Sequence, residues 1–404
     1  MVKIAVLGYG TIGSGVVEVL ETNTSSIAER AGEEIGVKYI LDLKDFPNDP
    51  HGHLIVHDMD TILQDEEVRV VVETMGGTGA AYTFVKAALE AGKHVATSNK
   101  ALVAKYGAEL MDLAKQKNIN FLFEASVGGG IPIIRTVNSS LSADEIEEIT
   151  GILNGTTNYI MTKMDQEGSQ FEDVLKEAQE LGYAEADPTD DVEGYDACRK
   201  IAILTSLVCG HHVDFEEIHT EGITNITAED MQYAAAMGRT IKLLATSHKV
   251  DNDYYAMVAP FMLSKEHPLY NVHGVFNAVF IHGNVLDDAM FYGRGAGKLP
   301  TASAVAADVV DIVKHLHRNI WISWSSRKMD LLDYKKATNR FFVRVKGTPS
   351  EKQAELEQLF GKGDIVQVPS LDGEFGFVTE AVAEETFETA YEKVSDAITR
   401  IRLA

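Results

Sequence analysis

Residues 2–20 read VKIAVLGYGTIGSGVVEVL. The first seven, VKIAVLG (2–8), are apolar and partly β-branched and end in glycine. That is the pattern of a strand buried on both faces in a parallel sheet. In residues 11–23 the spacing changes: Ile12, Val16, Val19 and Leu20 recur at helical intervals. Between the two lies Gly8-x-Gly10-x-x-Gly13. A strand, this glycine pattern and a helix start form the context in which backbone amides and a helix N-terminus receive a pyrophosphate. Gly8 permits the tight turn, Gly10 lets the backbone approach the phosphates, and Gly13 allows close packing of helix on strand. Thr11 and Ile12 share the turn and are expected to contact the nucleotide with them.

The rhythm continues outward. Strands are predicted at 36–45, 68–77, 93–99 and 119–127, and helices at 81–92 and 101–118. Alternating strands and helices predict a doubly wound parallel sheet, an α/β fold of Rossmann type. After GGGIP (128–132) the alternation stops, and the strands at 254–263 and 276–283 have no helix between them. An α+β domain with an antiparallel sheet is expected there. TASAVAADVVDIVKHLH (301–317) reads as a long helix returning to the first domain. After a polar connector, 318–338, the tail reads β-α-β-β-α-β, the ferredoxin-like order. The expected division is 1–127 with about 301–325 for the dinucleotide-binding domain, 128–300 for substrate binding, catalysis and dimerisation, and 339–404 for a small C-terminal module.

Composition bounds the function. The chain has 404 residues, 45% of them hydrophobic, and a formal net charge of −25. Such a charge repels nucleic acid and anionic membranes, so neither is expected as a partner. Two cysteines, Cys198 and Cys209, make no disulfide framework, and they read as small hydrophobes of a reducing compartment. MVKIAVLGYG lacks a secretory pattern and no apolar run approaches the roughly 20 residues of a membrane helix, so a cytoplasmic protein is expected.

Other strand ends face the same crevice of an open α/β sheet. LDLKD carries Asp42, which would favour a ribose 2′-hydroxyl, and Lys44, which would favour a 2′-phosphate; the two charges leave that choice open. MGGTGA (75–80) contributes Gly76, and ATSNKALV (96–103) contributes Ser98 and Lys100, a lysine that either meets the reacting groups or caps a surface turn. Gly297 lies in the glycine turn before the long helix.

DPTDDVEGYDACRK (187–200) is the second informative stretch. It fails as a calcium loop: counted from Asp187, the sixth position is Val192 and the twelfth Cys198. It has no histidine for a transition metal. Asp196 and Lys200, however, are four residues apart on one helix face, and the helix continues as IAILTSLVCG. An ion pair entering a buried helix suits proton transfer, because burial and neighbours move a lysine's proton affinity.

The run AQELGYAEADPTDDVEGYDACRK (178–200) resembles the signature of homoserine dehydrogenase. GYGTIGSGV, TSNKALVA, EASVGGGIPI, LNGTTNYI and GAGKLPTASAVAADV agree with it, over roughly residues 4–320. The resemblance implies NAD(P)-dependent interconversion of L-homoserine and L-aspartate 4-semialdehyde in threonine and methionine biosynthesis, with NADP the favoured cofactor. It implies Lys200 and Lys100 as catalytic lysines and Asp196 as the companion acid. Glu185, Asp191, Tyr183, Gly155 and Thr156 would contact substrate. Main-chain oxygens of Glu124, Val127, Gly129 and Ile131 would hold a monovalent cation, Na+. A homodimer through the second domain is also implied. The tail resembles ACT domains, yet VKGTPSEKQAELEQLF is short and polar where the regulatory loop would lie, so packing or dimerisation is favoured over threonine binding. An aldehyde dehydrogenase using a thioester is disfavoured, since both cysteines fall in an apolar helix. A catalytically silent amino-acid sensor is disfavoured by the intact Lys100, Asp196 and Lys200.

Overall fold

In the computed structural model, which describes residues 1–404, β1 (Val2–Leu7) leads into α1 (Thr11–Thr22) through the glycine turn. There follow α2 (Thr24–Ala31), β2 (Ile35–Leu41), β3 (Ile55–Val56), α3 (Met59–Leu63), β4 (Val68–Glu73), α4 (Gly79–Glu90), β5 (His94–Thr97), α5 (Lys100–Gln116) and β6 (Phe121–Leu122). The strands form one parallel sheet in the order β3-β2-β1-β4-β5-β6, the doubly wound arrangement. The order reverses between β1 and β4, so the turns after these strands line a crevice at a topological switch point. Ile4, Val6, Val70 and Val72 are fully buried and pack with Val16 and Val17 of α1. Ala302, Val305 and Val309 of the returning helix Lys298–Lys314 join the same core.

One strand is shorter than its sequence suggests. The apolar run 119–127 yields only the two residues of β6, then a 3-10 turn at Glu124–Ser126. The Glu124 amide donates to Asp308 at 2.8 Å, and its carboxylate accepts from the Ile134 and Arg135 amides at 2.8 and 2.9 Å. These bonds turn the backbone away from the ladder, and no hydrophobic pattern encodes them.

The chain continues through β7 (Ile146–Ile152), α6 (Gly155–Glu167), α7 (Phe171–Glu180), the short α8 (Thr189–Val192) and α9 (Tyr195–Cys209). Two brief strands, β8 (His211–His212) and β9 (His219–Thr220), precede α10 (Ala228–Ala236). The long hairpin β10 (Arg239–Val250) and β11 (Asp253–Ser264) pairs along its whole length. β12 (Phe276–Gly283), β13 (Asp287–Arg294), α11 (Lys298–Lys314) and β14 (Ser325–Lys328) follow. The tail comprises β15 (Thr338–Lys346), α12 (Pro349–Phe360), β16 (Gly363–Val366), β17 (Glu374–Thr379), β18 (Val382–Ala383), α13 (Glu384–Tyr391) and β19 (Ala397–Leu403).

Two compact units result. One comprises Met1–Glu145, Ala202–Phe215 and Phe291–Met329; the other comprises Ile146–Ile201, Glu216–Met290 and Asp330–Ala404. Within the second, the strands run β12-β7-β10-β11-β19-β15-β17-β16 as one mixed sheet. β11 pairs parallel with β19 through Phe261–Arg402 and Met262–Leu403, so the tail's antiparallel strands extend the sheet of the preceding residues. The tail keeps its own apolar centre, in which Phe341, Val343, Leu356, Phe375, Phe377 and Phe387 are buried.

Candidate functional site

In the first unit, the Gly8 φ of +87° is a left-handed conformation that favours glycine. At Gly13 an added Cβ would overlap the Gly8 carbonyl oxygen. At Gly10, the N-cap of α1, it would meet nothing within 4 Å. So Gly13 is required by the protein's own backbone, and Gly10 leaves open space at amides that a phosphate can use. Thr11 and Ile12 open α1 beside them. Gly297 immediately precedes α11, whose first residues approach α1 at Gly15: a Cβ there would sit 2.9 Å from Lys298 Cγ.

The Asp42 carboxylate accepts from the Tyr9 amide at 2.8 Å and the Lys44 amide at 3.0 Å. It therefore shapes the turn after β2, while the Lys44 side chain is exposed. Gly76 follows β4 in a turn built by Glu73, a residue the sequence reading passed over. Glu73 is fully buried and accepts from the Thr97 hydroxyl at 2.5 Å and from the Met75 and Gly76 amides at 2.8 and 3.3 Å. Burial pushes its carboxyl up, and these bonds oppose the rise. The only local signal was an acid ending an apolar strand. Asn99 links the next turn to this one: its amide donates to Gly77 O at 2.6 Å, and its oxygen caps α5 at Leu102 N, 3.1 Å. Ser98 precedes it, and Lys100 is the first residue of α5.

Glu124, Val127, Gly129 and Ile131 lie on a buried, irregular segment of the same unit. The Glu124 carboxylate is engaged by the 134 and 135 amides, so main-chain oxygens are what this segment has to offer. Ile131 O already accepts from the Ile133 amide at 3.0 Å. Arg135 reaches Asp308 at 2.7 Å and Asp311 at 3.2 Å. Burial, reinforced by Glu124, holds the Asp308 carboxyl well above the usual range.

In the second unit, Lys200 Nζ donates to Asp196 Oδ2 at 2.6 Å and to Leu153 O at 2.7 Å. The side chains are 10% and 3% exposed. The pair is thus buried, as expected of an ion pair entering an apolar helix. Asn154 completes it: its amide donates to Asp191 at 2.7 Å and to Asp196 at 2.9 Å, and its oxygen caps α6 at Thr157 N, 2.8 Å. Asn154 was not singled out in the sequence, although it stands in LNGTTNYI; a cap residue carries no mark of a second role. Gly155 begins α6, and a Cβ there would press on Val275 O at 2.9 Å. Thr156 donates to Tyr183 O at 2.7 Å, and the Tyr183 ring packs edge-on to Tyr159. The structure thus brings together Asn154, Gly155, Thr156, Tyr183, Asp191, Asp196 and Lys200. Glu185 has an exposed carboxylate; its carbonyl accepts from Gln179 at 3.0 Å. Two further acids of the run make local contacts: Asp187 accepts from the Thr189 amide and hydroxyl, and Asp190 pairs with Arg199. Cys209 is held above its usual range by burial, as expected of an inert thiol.

A switch-point crevice with an open Gly10 in one unit, and a buried lysine–carboxylate pair in the other, are the features of a nicotinamide-dependent dehydrogenase. A family model described as the homoserine dehydrogenase NAD binding domain matches residues 8–124, and one described as homoserine dehydrogenase matches 132–310. The homoserine dehydrogenase of Neisseria gonorrhoeae is 38% identical over 411 residues, 96% of this chain and 94% of that one. That of Bacillus subtilis is 42% identical over 323 residues, 79% and 74% of the two chains. The crystal structure of a homoserine dehydrogenase from Thiobacillus denitrificans superposes with a TM-score of 0.92 at 35% identity, covering 100% of this chain and 98% of that one. A hyperthermophilic archaeal homoserine dehydrogenase in complex with NADPH superposes at 0.65 with 30% identity, over 77% of this chain and 97% of that one. The chain belongs to the homoserine dehydrogenase family. It is an NAD(P)-dependent oxidoreductase of amino-acid biosynthesis. No helix is long and apolar enough to cross a membrane.

Proposed function

We propose that Lys200 transfers the proton in the interconversion of L-homoserine and L-aspartate 4-semialdehyde, with Asp196 orienting it. The observation that carries this is the buried 2.6 Å contact between them. A bound nicotinamide would supply the hydride chemistry at the substrate's terminal carbon. As ammonium, Lys200 protonates the developing alkoxide of aldehyde reduction; as amine, it takes the hydroxyl proton in oxidation. Leu153 O and Asp196 fix the direction of Nζ before substrate arrives. Asp191 and Glu185 are read as acceptors for the substrate ammonium, with Gly155, Thr156 and Tyr183 shaping the pocket. Lys100 is the second lysine of the reading.

Gly8, Gly10, Thr11, Ile12, Gly13, Gly76, Ser98, Lys100 and Gly297 are proposed to hold the dinucleotide. NADP is favoured, because the Asp42 carboxylate is already engaged by two amides while Lys44 is free to meet a 2′-phosphate. The solved relative in complex with NADPH supports this. Carbonyls of Glu124, Val127, Gly129 and Ile131 suit a hard monovalent cation, since the Glu124 carboxylate is committed to the Ile134 and Arg135 amides. A cytoplasmic homodimer is proposed; exposed Val285 and Leu286 just before β13, and Met290 within it, support an interface there. The tail, strand order β19-β15-β17-β16, is read as ACT-like but serving packing. Initial rates of homoserine oxidation with NADP and NAD, each with and without threonine, test these readings. A higher kcat/KM with NADP and no saturable inhibition by millimolar threonine are expected. Equal or better use of NAD overturns the cofactor choice.

A further inference from the structure

β19 carries two arginines in the second unit, Arg402 in its interior and Arg400 half-buried. Arg402 is fully buried; it donates to Glu384 at 2.6 and 2.8 Å and to Glu221 at 2.9 Å. Arg400 donates to both oxygens of Glu221, at 2.8 and 3.1 Å. His219 Nε2 lies 2.6 Å from Glu221, its ring stacked on Tyr334 at 3.8 Å. Burial alone would raise the Glu221 carboxyl, but the bonds from His219, Arg400 and Arg402 hold it well below the usual range. Buried ionic clusters are costly, and apolar residues would pack a strand at least as well.

What this cluster grips sits against the start of the catalytic helix. The Glu221 amide donates to Val258 O at 2.7 Å, and the Ile223 amide to Val192 O at 2.8 Å. Gly222 passes so close that a Cβ would overlap the Val192 carbonyl oxygen. Gly194 takes a φ of +82°, and its vacant Cβ position is bounded by Thr220 Cγ2 at 3.1 Å and Val258 Cγ1 at 3.2 Å. Gly194 O receives the first helical bond of α9, from Cys198 at 2.9 Å, and α9 then carries Asp196 and Lys200. Docking of the tail has separate means: the β11–β19 ladder, and Arg344 bound to Asp230 at 3.1 Å and Glu374 at 2.9 Å.

We propose that Arg400 and Arg402 are positioning residues: through Glu221 they fix the Val192–Gly194 hinge, and with it Asp196 and Lys200. This rests on the reading that Lys200 carries the proton. The test compares full-length Glu221→Gln, Arg400→Met, Arg400→Lys and Arg344→Met, assayed well below each melting temperature, with Lys200→Ala in parallel. The expected result is a fall in kcat for homoserine of about 3- to 30-fold in Glu221→Gln and Arg400→Met. Nucleotide KM stays unchanged, and Arg400→Lys recovers part of the loss. Arg344→Met lowers the melting temperature without that fall in kcat. If Glu221→Gln does not fold, Arg400→Met and Arg400→Lys carry the test. Wild-type kcat in folded Arg400→Met, or an equal fall in Arg344→Met, overturns the proposal. Full turnover in Lys200→Ala defeats the underlying site reading instead.

Discussion

Asn154 Nδ2 lies 2.9 Å from Asp196 Oδ2, and the same amide holds Asp191 at 2.7 Å. One side chain thus starts α6 and ties Asp191 of α8 to Asp196 of α9, the partner of Lys200. Asn154→Ser retains an N-capping oxygen but no amide donor. A lost hydrogen bond to a charged group corresponds to about 1.5–3 kcal/mol, so kcat/KM for homoserine should fall about 10- to 100-fold. Asn154→Asp keeps the cap and sets a third carboxylate beside Asp191 and Asp196. Its loss of stability should shrink as pH falls from about 7 to 5, because protonation relieves the crowding. Urea unfolding at the two pH values measures this; a pH-independent difference would refute the crowding account.

Lys200 sits in a buried site where its contacts with Asp196 and Leu153 O predefine the direction of Nζ. Lys200→Ala should reduce turnover by about 10²–10⁴-fold, the range of general acid–base contributions. Nucleotide affinity, read by fluorescence titration, should be nearly unchanged, because the glycine turns belong to the other compact unit. Small primary amines should restore part of the rate. Turnover within tenfold of wild type would end the assignment.

The Rossmann-type sheet was legible because its strands are buried on both faces, and continuous apolar runs report that directly. The Asp196–Lys200 pair was legible because an i,i+4 ion pair entering an apolar helix conflicts with a surface reading. Glu73 and Asn154 were not, since each acts through backbone amides or a cap whose partners are fixed only by the fold. β6 is shorter than expected for the same reason: the run 119–127 is apolar enough for a strand, but Asp308 and the Ile134 amide claim Glu124. The tail's β-α-β-β-α-β order could be read along the chain, apart from the two-residue β18 before α13. Its merger with β11 could not, because two residue pairs of parallel ladder leave no pattern in either segment.

The two central glycines of the nucleotide turn should respond differently to the same change. At Gly10 a methyl group meets open space, and φ is −75°, so Gly10→Ala should fold normally. Its methyl group would stand where a pyrophosphate approaches, and KM for the nucleotide should rise about tenfold or more. At Gly13 the methyl group overlaps Gly8 O, so Gly13→Ala should lose stability, by about 1–3 kcal/mol as overpacking does. Melting curves beside nucleotide KM values separate the two; equal effects on stability would contradict the assignment of space.

Lys242 is buried beneath α6, with Nζ donating to Val272 O at 2.7 Å and Asn158 Oδ1 at 3.1 Å. Both acceptors are neutral, and burial lowers its amine to about 8, against a weaker opposing pull from Asp165. Below that pH the folded and unfolded chains both carry the proton, and the burial penalty is constant. Between about 8 and the ordinary lysine value near 10.4 the unfolded chain holds a proton that the folded chain has released, so stability rises with pH across this window. Relative to Lys242→Met, the wild-type protein should therefore gain up to about 3 kcal/mol between pH 7.5 and 10. Comparing the two proteins cancels the titration of tyrosines and surface lysines common to both. Paired denaturant unfolding at the two pH values gives the difference, and an unchanged gap would show that Lys242 keeps its ordinary proton affinity despite its burial.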